Sequence, residues 1–401
     1  MSLISLPSPR TLEGSTSLTT FKVESNGTQI DGVLQIQIER ALNSIPKAYV
    51  LLSDGDVATQ NYERSNQDYA APGQQIKISV GYNSDEQVLF EGEVVKQKVK
   101  VGVNGLTRTE LICKDPCYKM TLNKRSRYYS NVTEQDILNT IVGDYADLSG
   151  QYDSISLGSV NQTRYSSLVQ HNISDWNFLI TRLEQSSSFV IVDNGLLEVT
   201  GLPVYTIGEF GLEFGRDVIR MDLEVNAEHQ HNSIVAKSWD ETIQEIVSAS
   251  SSAPQYPDQG NISSEELGSE TNSTFEIVHS GNVPSRQLEQ WANAKHLRSE
   301  LSRIRGIISF QGSSRARLNS YISVGGIGDR FNGPCLITGI NHEIRSGDWV
   351  TTVQIGLDPL SHSDHHPETE IAENLSPGAI SGFYTGIVKE IHGDPEENRR
   401  I

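Results

Sequence analysis

Residues 76–116 read IKISVGYNSDEQVLFEGEVVKQKVKVGVNGLTRTELICKDP, and residues 321–359 read YISVGGIGDRFNGPCLITGINHEIRSGDWVTTVQIGLDP. Both carry Ile-Ser-Val-Gly, then Phe-x-Gly, then a hairpin-like segment, then Asp-Pro. Ile78 to Ile322 is a step of 244, Phe90 to Phe331 of 241 and Asp115 to Asp358 of 243, so only short loop changes separate the copies. In the first copy "VVKQKVKVGV" and "LTRTELICK" flank Asn104-Gly105, a strong signal for a two-residue hairpin. Ser346-Gly347-Asp348 takes that place in the second. One β unit written twice implies duplication, and duplication has a use in symmetry. Three chains with two equivalent units each present six around an axis, able to face a six-fold partner on one side and stay three-fold on the other.

The rest of the chain is read outward from these copies. "VLQIQIER" alternates, with Leu34, Ile36 and Ile38 on one side, which is the period of a half-buried strand. Asp54-Gly55-Asp56 could be a metal-binding acidic pair, but Asp-Gly is ordinary tight-turn chemistry. Residues 1–116 therefore predict a first small antiparallel barrel or sandwich. Residues 117–217 predict a small α+β domain. One helix there is capped by Asn131 or Thr133 and carries Ile137, Leu138, Ile141 and Val142. A second is capped by Ser174 and carries Trp176, Leu179, Ile180 and Leu183, and a hairpin follows around Asn194-Gly195. Residues 218–240 and 306–360 predict the second barrel. Residues 241–305 are an insertion: a mobile, Ser- and Glu-rich loop over 248–275, then a helix opened by Pro284 and Ser285 and ended by Gly306. Residues 361–379 read as a linker. Residues 380–401, with Ile387, Val388 and Ile391, read as the beginning of an OB-fold that has no room to finish here. The fold class is mainly β with α+β insertions: two duplicated antiparallel β-barrels, a small α+β domain and the start of an OB-fold.

The formal net charge of −19 over 401 residues argues against a general nucleic-acid binder, which needs a basic face. No apolar run approaches the roughly 20 residues that span a bilayer, and no secretory signal is visible, so cytoplasmic synthesis and assembly is the expectation. Cys113, Cys117 and Cys335 match neither a disulfide framework nor a zinc spacing, and read as small buried hydrophobes. His362, Asp364, His365 and His366 invite a metal reading, but they stand in a polar linker; His229 and His231 share a presumed strand face, and His342 reads as a core or interface histidine. No nucleophile elbow, HExxH, P-loop or dinucleotide fingerprint is present. No catalytic residue, cofactor or metal ligand is assigned, and the chain is read as non-enzymatic. The candidate site residues are Lys96, Lys98 and Lys100. This basic stripe in an acidic protein is either a solvated face that protects a sheet edge or a contact with an acidic neighbour.

The ordered series of motifs resembles a family. The segments 44–65 and 69–95, the stretch "LVQHNISDWNFLITRLEQSSSFVIVDNGLLEV" with Gln170, Ser174-Asp175-Trp176, Phe178 and Arg182-Leu183, and the second copy with His342 and Trp349 resemble the hub part of VgrG-type spike proteins of contractile injection systems, which are related to the tail hub of contractile phages. "GFYTGIVKEIHGD" is similar to the opening of the family's OB domain. Ser188 departs from the glycine usual after the signature helix. The opening residues and the "IPKA…LSDGD" pattern look closest to the extracellular phage-tail-like or Bacteroidetes-like type. The resemblance implies a homotrimer that adapts a six-fold inner tube to a three-fold, membrane-puncturing spike. Its implied partners are the inner tube or a tube-initiator protein, baseplate proteins, and a spike-tip protein or cargo effector. It places the chain in an injection particle ejected toward a target envelope. The alternative is a tail-associated cell-wall hydrolase whose catalytic domain lies beyond residue 401.

Overall fold

The computed structural model describes residues 6–14, 18–102, 106–152, 164–203, 208, 210–252, 254, 256–257, 259–271 and 273–366. The Asn104-Gly105 turn, residues 367–379 of the linker and the OB-fold start at 380–401 lie outside the described residues.

A short helix α1 (Pro9–Leu12), capped by Ser8, precedes the first copy. That copy contains β1 (Thr19–Ser25), β2 (Thr28–Gln29), β3 (Val33–Ala41), β4 (Lys47–Ser53), β5 (Gln75–Tyr82), β6 (Asp85–Val101) and β7 (Thr107–Lys114). Alternation does its work in β5, where Ile76, Ile78 and Val80 are all buried. In β3 a bulge between Val33 and Gln35 breaks the two-residue period. Ile36 and Ile38 are buried, but Leu34 is exposed rather than sharing their side. Asp54 is buried in the turn after β4, accepting from the backbone N–H of Gly55, Arg64 and Ser65 and from the Thr109 hydroxyl.

The α+β part follows with β8 (Lys124–Val132), α2 (Glu134–Val142), β9 (Ser149–Tyr152), β10 (Tyr165–Ser174), α3 (Asp175–Gln185), β11 (Phe189–Asp193) and β12 (Leu196–Thr200). Thr133, not Asn131, caps α2, in a reciprocal capping box with Asp136. Ser174 caps α3. The apolar stripes of both helices meet in one cluster with β11 and β12. Asp175 is fully buried, accepting from Gln170 Nε2 at 2.7 Å and from the Tyr145 hydroxyl at 2.7 Å. Arg182 pairs with buried Glu134 and lies over the Tyr165 ring.

The second copy begins with β13 (Gly211–Glu213) and β14 (Val218–Val225). A separate three-stranded sheet then interrupts it: β15 (Ser233–Asp240), β16 (Glu245–Ser250) and β17 (Thr274–His279), ordered β16-β15-β17, with helix α4 (Ser264–Thr271) between β16 and β17. Helix α5 (Ser285–Ser302) packs on it through Leu288 and Ala292. Three expectations are corrected here. Residues 233–240 pair with β16 and β17 rather than with the second copy, because Ile234 and Ala236 need the apolar face of α5 to cover them. Residues 248–275 are not a structureless loop, since they include α4 and strand ends. Gly306 lies inside a strand rather than ending α5.

The copy resumes with β18 (Ile304–Gln311), β19 (Tyr321–Gly325), β20 (Gly333–Arg345) and β21 (Asp348–Ile355), turning at Ser346 and Gly347 with positive φ. Helix α6 (His362–His365), capped by Ser361, gives part of the expected linker regular structure. Thirteen strands form one antiparallel-dominated sheet along β14-β18-β21-β20-β3-β4-β7-β6-β5-β1-β2, with β19 joining β20 and β13 joining β19. Among the described residues the copies are joined through β3 and β20, and the pairing is an open path, not two closed barrels.

Candidate functional site

The two copies match strand for strand across five strands. The path β3-β4-β7-β6-β5 in the first has the same order and hand-to-hand pairing as β14-β18-β21-β20-β19 in the second. The registers match too. Val33 faces Leu52 and Gln35 faces Leu51 across a bulge; Val218 faces Phe310 and Arg220 faces Ser309 across another. Val94 faces Cys113 and Lys96 faces Ile112; Ile337 faces Ile355 and Gly339 faces Gln354. Bulged, exposed Leu34 thus corresponds to bulged, exposed Ile219. The Lys47–Glu39 ion pair corresponds to Arg305–Glu224. Ile78–Gly81 and Ile322–Gly325 lie on equivalent strands but not at equivalent positions: Ile322 faces Cys335 as Ile76 faces Gly92, two residues before Ile78.

Where the copies meet, β3 adds to the edge of β20 over Gln35–Ala41, antiparallel, with Glu39 opposite Asn341, Ile38 opposite His342 and Gln37 opposite Glu343. Side chains tighten this ladder. Gln35 donates to Glu343 at 3.1 Å. The Tyr82 hydroxyl donates to the Gly312 carbonyl at 2.9 Å, and its ring lies 5.2 Å from that of Trp349. Ile344 and Trp349 belong to the core cluster of the first copy, so the joint is continuous core rather than a docking contact. His342 is buried at the joint. Its Nδ1 accepts from the Trp349 indole N–H at 3.3 Å, and burial, followed by the Arg40 charge, pushes its pKa down to about 3. A neutral imidazole is what this apolar site can hold.

The lysine stripe lies on the equivalent edge. In the first copy β6 pairs with β5 over its first half and with β7 over its second; among the described residues no strand pairs with the other edge of Lys96–Val101. Lys96, Lys98 and Lys100 correspond to Gly339, Asn341 and Glu343, the segment of β20 that receives β3. Lys98 and Lys100 both reach Glu110 across the ladder, at 3.4 and 2.8 Å. Burial alone would raise the Glu110 pKa, but the hydrogen bonds and charges of Lys100 and Lys98 outweigh it, so its carboxyl lies below the usual range. Val99 and Val101 on the opposite face are 54% and 70% exposed, where their counterparts His342 and Ile344 are 3% and 1% exposed.

At the far end of the same sheet, β14 pairs only with β18 among the described residues. It is the counterpart of β3. It presents Asp222 and Glu224 on one face and Met221 and Leu223 on the other. These acids were not singled out in the sequence. The signal was there: "VLQIQIE" at 33–39 and "VIRMDLE" at 218–224 share their alternation and both end residues.

The histidines do other work. His362 is no solvated linker residue; its Nε2 lies 3.1 Å from Asn177 Oδ1, its backbone N–H donates to Glu184, and burial, followed by the charge of His366, pushes its pKa down to about 4. Glu184 also pairs with Arg298 and accepts from Asn43 at the β3–β4 tip, tying α3, α5, α6 and the first copy together. Among the described residues no group of three or more His, Cys, Asp or Glu side chains is arranged to hold a metal ion.

The family described as the Alg8 N-terminal domain matches residues 15–346, which span the first copy, the α+β part and the second copy as far as the end of β20. The chain belongs to the Alg8 N-terminal domain family. No curated protein matches the chain in sequence. Solved structures match its fold. The 43 kDa tail protein of prophage MuSo2 from Shewanella oneidensis is 12% identical with a TM-score of 0.61, covering 84% of this chain and 96% of that one. The tail protein from Neisseria meningitidis MC58 is 12% identical with a TM-score of 0.62, over 86% and 98%. The E. coli c3393 protein, a component of the type VI secretion system, is 12% identical with a TM-score of 0.52, over 85% and 78%. This member of the Alg8 N-terminal domain family therefore has the fold of phage tail and VgrG-like proteins, as the motif resemblance implied. Within the family match lie both unpaired sheet edges and the β3–β20 ladder, though not Trp349.

Proposed function

We propose that the chain is a structural hub of a contractile injection system. Three copies assemble into a ring of six equivalent sheet units, joining a six-fold inner tube or its initiator on one side to a three-fold spike on the other. The observation that carries this reading is the register-for-register equivalence of the two copies, already joined to each other inside one chain by β3 and β20. A joint that puts the outer strand of one unit on the next is heterologous, and repeated heterologous joints generate closed rings. The insertion with β15–β17 and α5 stands between β14 and β18, where the first copy has only the short β3–β4 connection. It makes the units alternate, as a change from six-fold to three-fold symmetry requires. The fold shared with tail proteins and with a type VI secretion component supports the same reading. The work asked of this chain is rigidity and symmetric contact; its partners in the proposal are the tube, baseplate proteins and a spike-tip or cargo protein. Mass measurement across micromolar concentrations, with electron microscopy of the assembled particle along its axis, tests it. A trimer with a pseudo-six-fold face is expected, with buried area above roughly 2,000 Å². A chain that stays monomeric at all concentrations overturns the proposal.

A further inference from the structure

We propose that the joint between neighbouring chains is β14 of one chain added to the edge of β6 on a second copy of this chain, antiparallel and in the register that β3 and β20 hold within one chain. The inference rests on the hub reading and names its contact surface. The register follows residue by residue. Glu39 opposite Asn341 becomes Glu224 opposite Lys98, and Gln37 opposite Glu343 becomes Asp222 opposite Lys100. Ile38 opposite His342 becomes Leu223 opposite Val99, and Ile36 opposite Ile344 becomes Met221 opposite Val101.

Three independent features of the two edges agree with this pairing. Both edges lack a partner strand among the described residues. The charges are complementary: two acids on β14 meet two lysines on β6, where the internal joint has uncharged or hydrogen-bonded groups. Lys98 and Lys100 already share Glu110, and Glu224 holds Arg305, so the pairing extends two existing surface ion pairs into one network. The other face is apolar, and it would cover Val99 and Val101 as Ile344 and His342 are already covered. An edge left open with two exposed valines invites indiscriminate strand addition; the lysines between them select an acidic strand. The basic stripe is thereby assigned to a second copy of this chain rather than to the tube or to solvent.

Two measurements on the full chain test the joint. In the first, Lys98→Cys is combined with Glu224→Cys, and as a register control with Asp222→Cys. Under mild oxidation the facing pair should give covalent multimers on a non-reducing gel, at least about tenfold faster than the control, because a disulfide tolerates little departure from facing geometry. In the second, Lys98→Glu with Lys100→Glu should raise the concentration for half-assembly by more than about tenfold, through opposed like charges. Adding Asp222→Lys and Glu224→Lys to that chain should recover part of the loss, with circular dichroism confirming the fold throughout. A chain that forms trimers by mass but cross-links no faster than its control, or gains nothing from the exchanged charges, overturns this joint and leaves the hub reading standing. A wild-type chain that never assembles overturns both.

Discussion

Trp349 is the side chain on which the internal joint depends most. It belongs to the second copy, yet it is 3% exposed within the first copy's core, with its ring 5.2 Å from Tyr82 and 5.8 Å from His342. Gly312 makes room for it: a Cβ there would lie 2.1 Å from two indole carbons. Replacing Trp349 with Ala removes most of a buried aromatic of about 200 Å², worth about 5 kcal/mol at 25 cal/mol per Å². Large-to-small aromatic replacements in cores cost about 3–5 kcal/mol, since surroundings collapse only in part. Against a total of about 5–15 kcal/mol this is a large share. Trp349→Phe keeps most of the apolar area and loses the indole donor to His342, so a smaller cost of about 1–2 kcal/mol is expected. Urea unfolding followed by circular dichroism gives both values from the shift in midpoint at constant slope. A loss below about 1 kcal/mol for Trp349→Ala, or equal losses for the two variants, would refute the shared-core reasoning. So would a wild-type protein whose two copies unfold in separate transitions with only one of them moved by the substitution.

Acid should weaken the fold well before the carboxylates titrate. His342 and His362 have folded-state values of about 3 and about 4 against an ordinary 6.5, so the folded chain resists a proton that the unfolded chain accepts. Their contribution is complete above pH 6.5 and is lost as pH falls toward those values; His342 alone should lower stability by about 2 kcal/mol between pH 6.5 and 5, and a flat unfolding free energy over that interval would contradict it. Glu134→Ala leaves the part-buried guanidinium of Arg182 without its buried carboxylate and should cost about 2–4 kcal/mol in thermal unfolding; a change under about 1 kcal/mol would place the pair in solvent. Cys113, Cys117 and Cys335 are buried, with the Cys113 thiol pushed up to about 12 by burial, so a thiol reagent should find none of them in the native protein within minutes and all three in guanidinium. Rapid labelling of the native chain would show an opening of the core that the structure does not have.

Local features of this protein were legible in the sequence because their causes are local. Thr133 and Ser174 cap helices through bonds to backbone three residues on, and Asn194-Gly195 turns a hairpin because both residues take positive φ. The duplication was legible because Ile-Ser-Val-Gly, Phe-x-Gly and Asp-Pro recur in the same order along equivalent strands, although the first hairpin is paired differently: Ile78 faces Phe90, whereas Ile322 faces Cys335, four residues past Phe331. The pairing of β3 with β20 was not. It links residues about 300 positions apart, and an edge strand's hydrogen-bonding groups carry no mark in the sequence of the strand they will meet. Nor could alternation foresee Leu34 on the exposed side, since a bulge depends on the partner strand's register. The limits of the insertion were misread because β15 continues the alternation of a strand region, and only the apolar face of α5 above it decides which sheet it joins. The basic stripe was visible from residue types and spacing alone. That it occupies the open edge equivalent to a filled one, with acids on the matching strand at the other end of the sheet, was decided by tertiary structure, because equivalence of edges is a property of registers shared between distant strands.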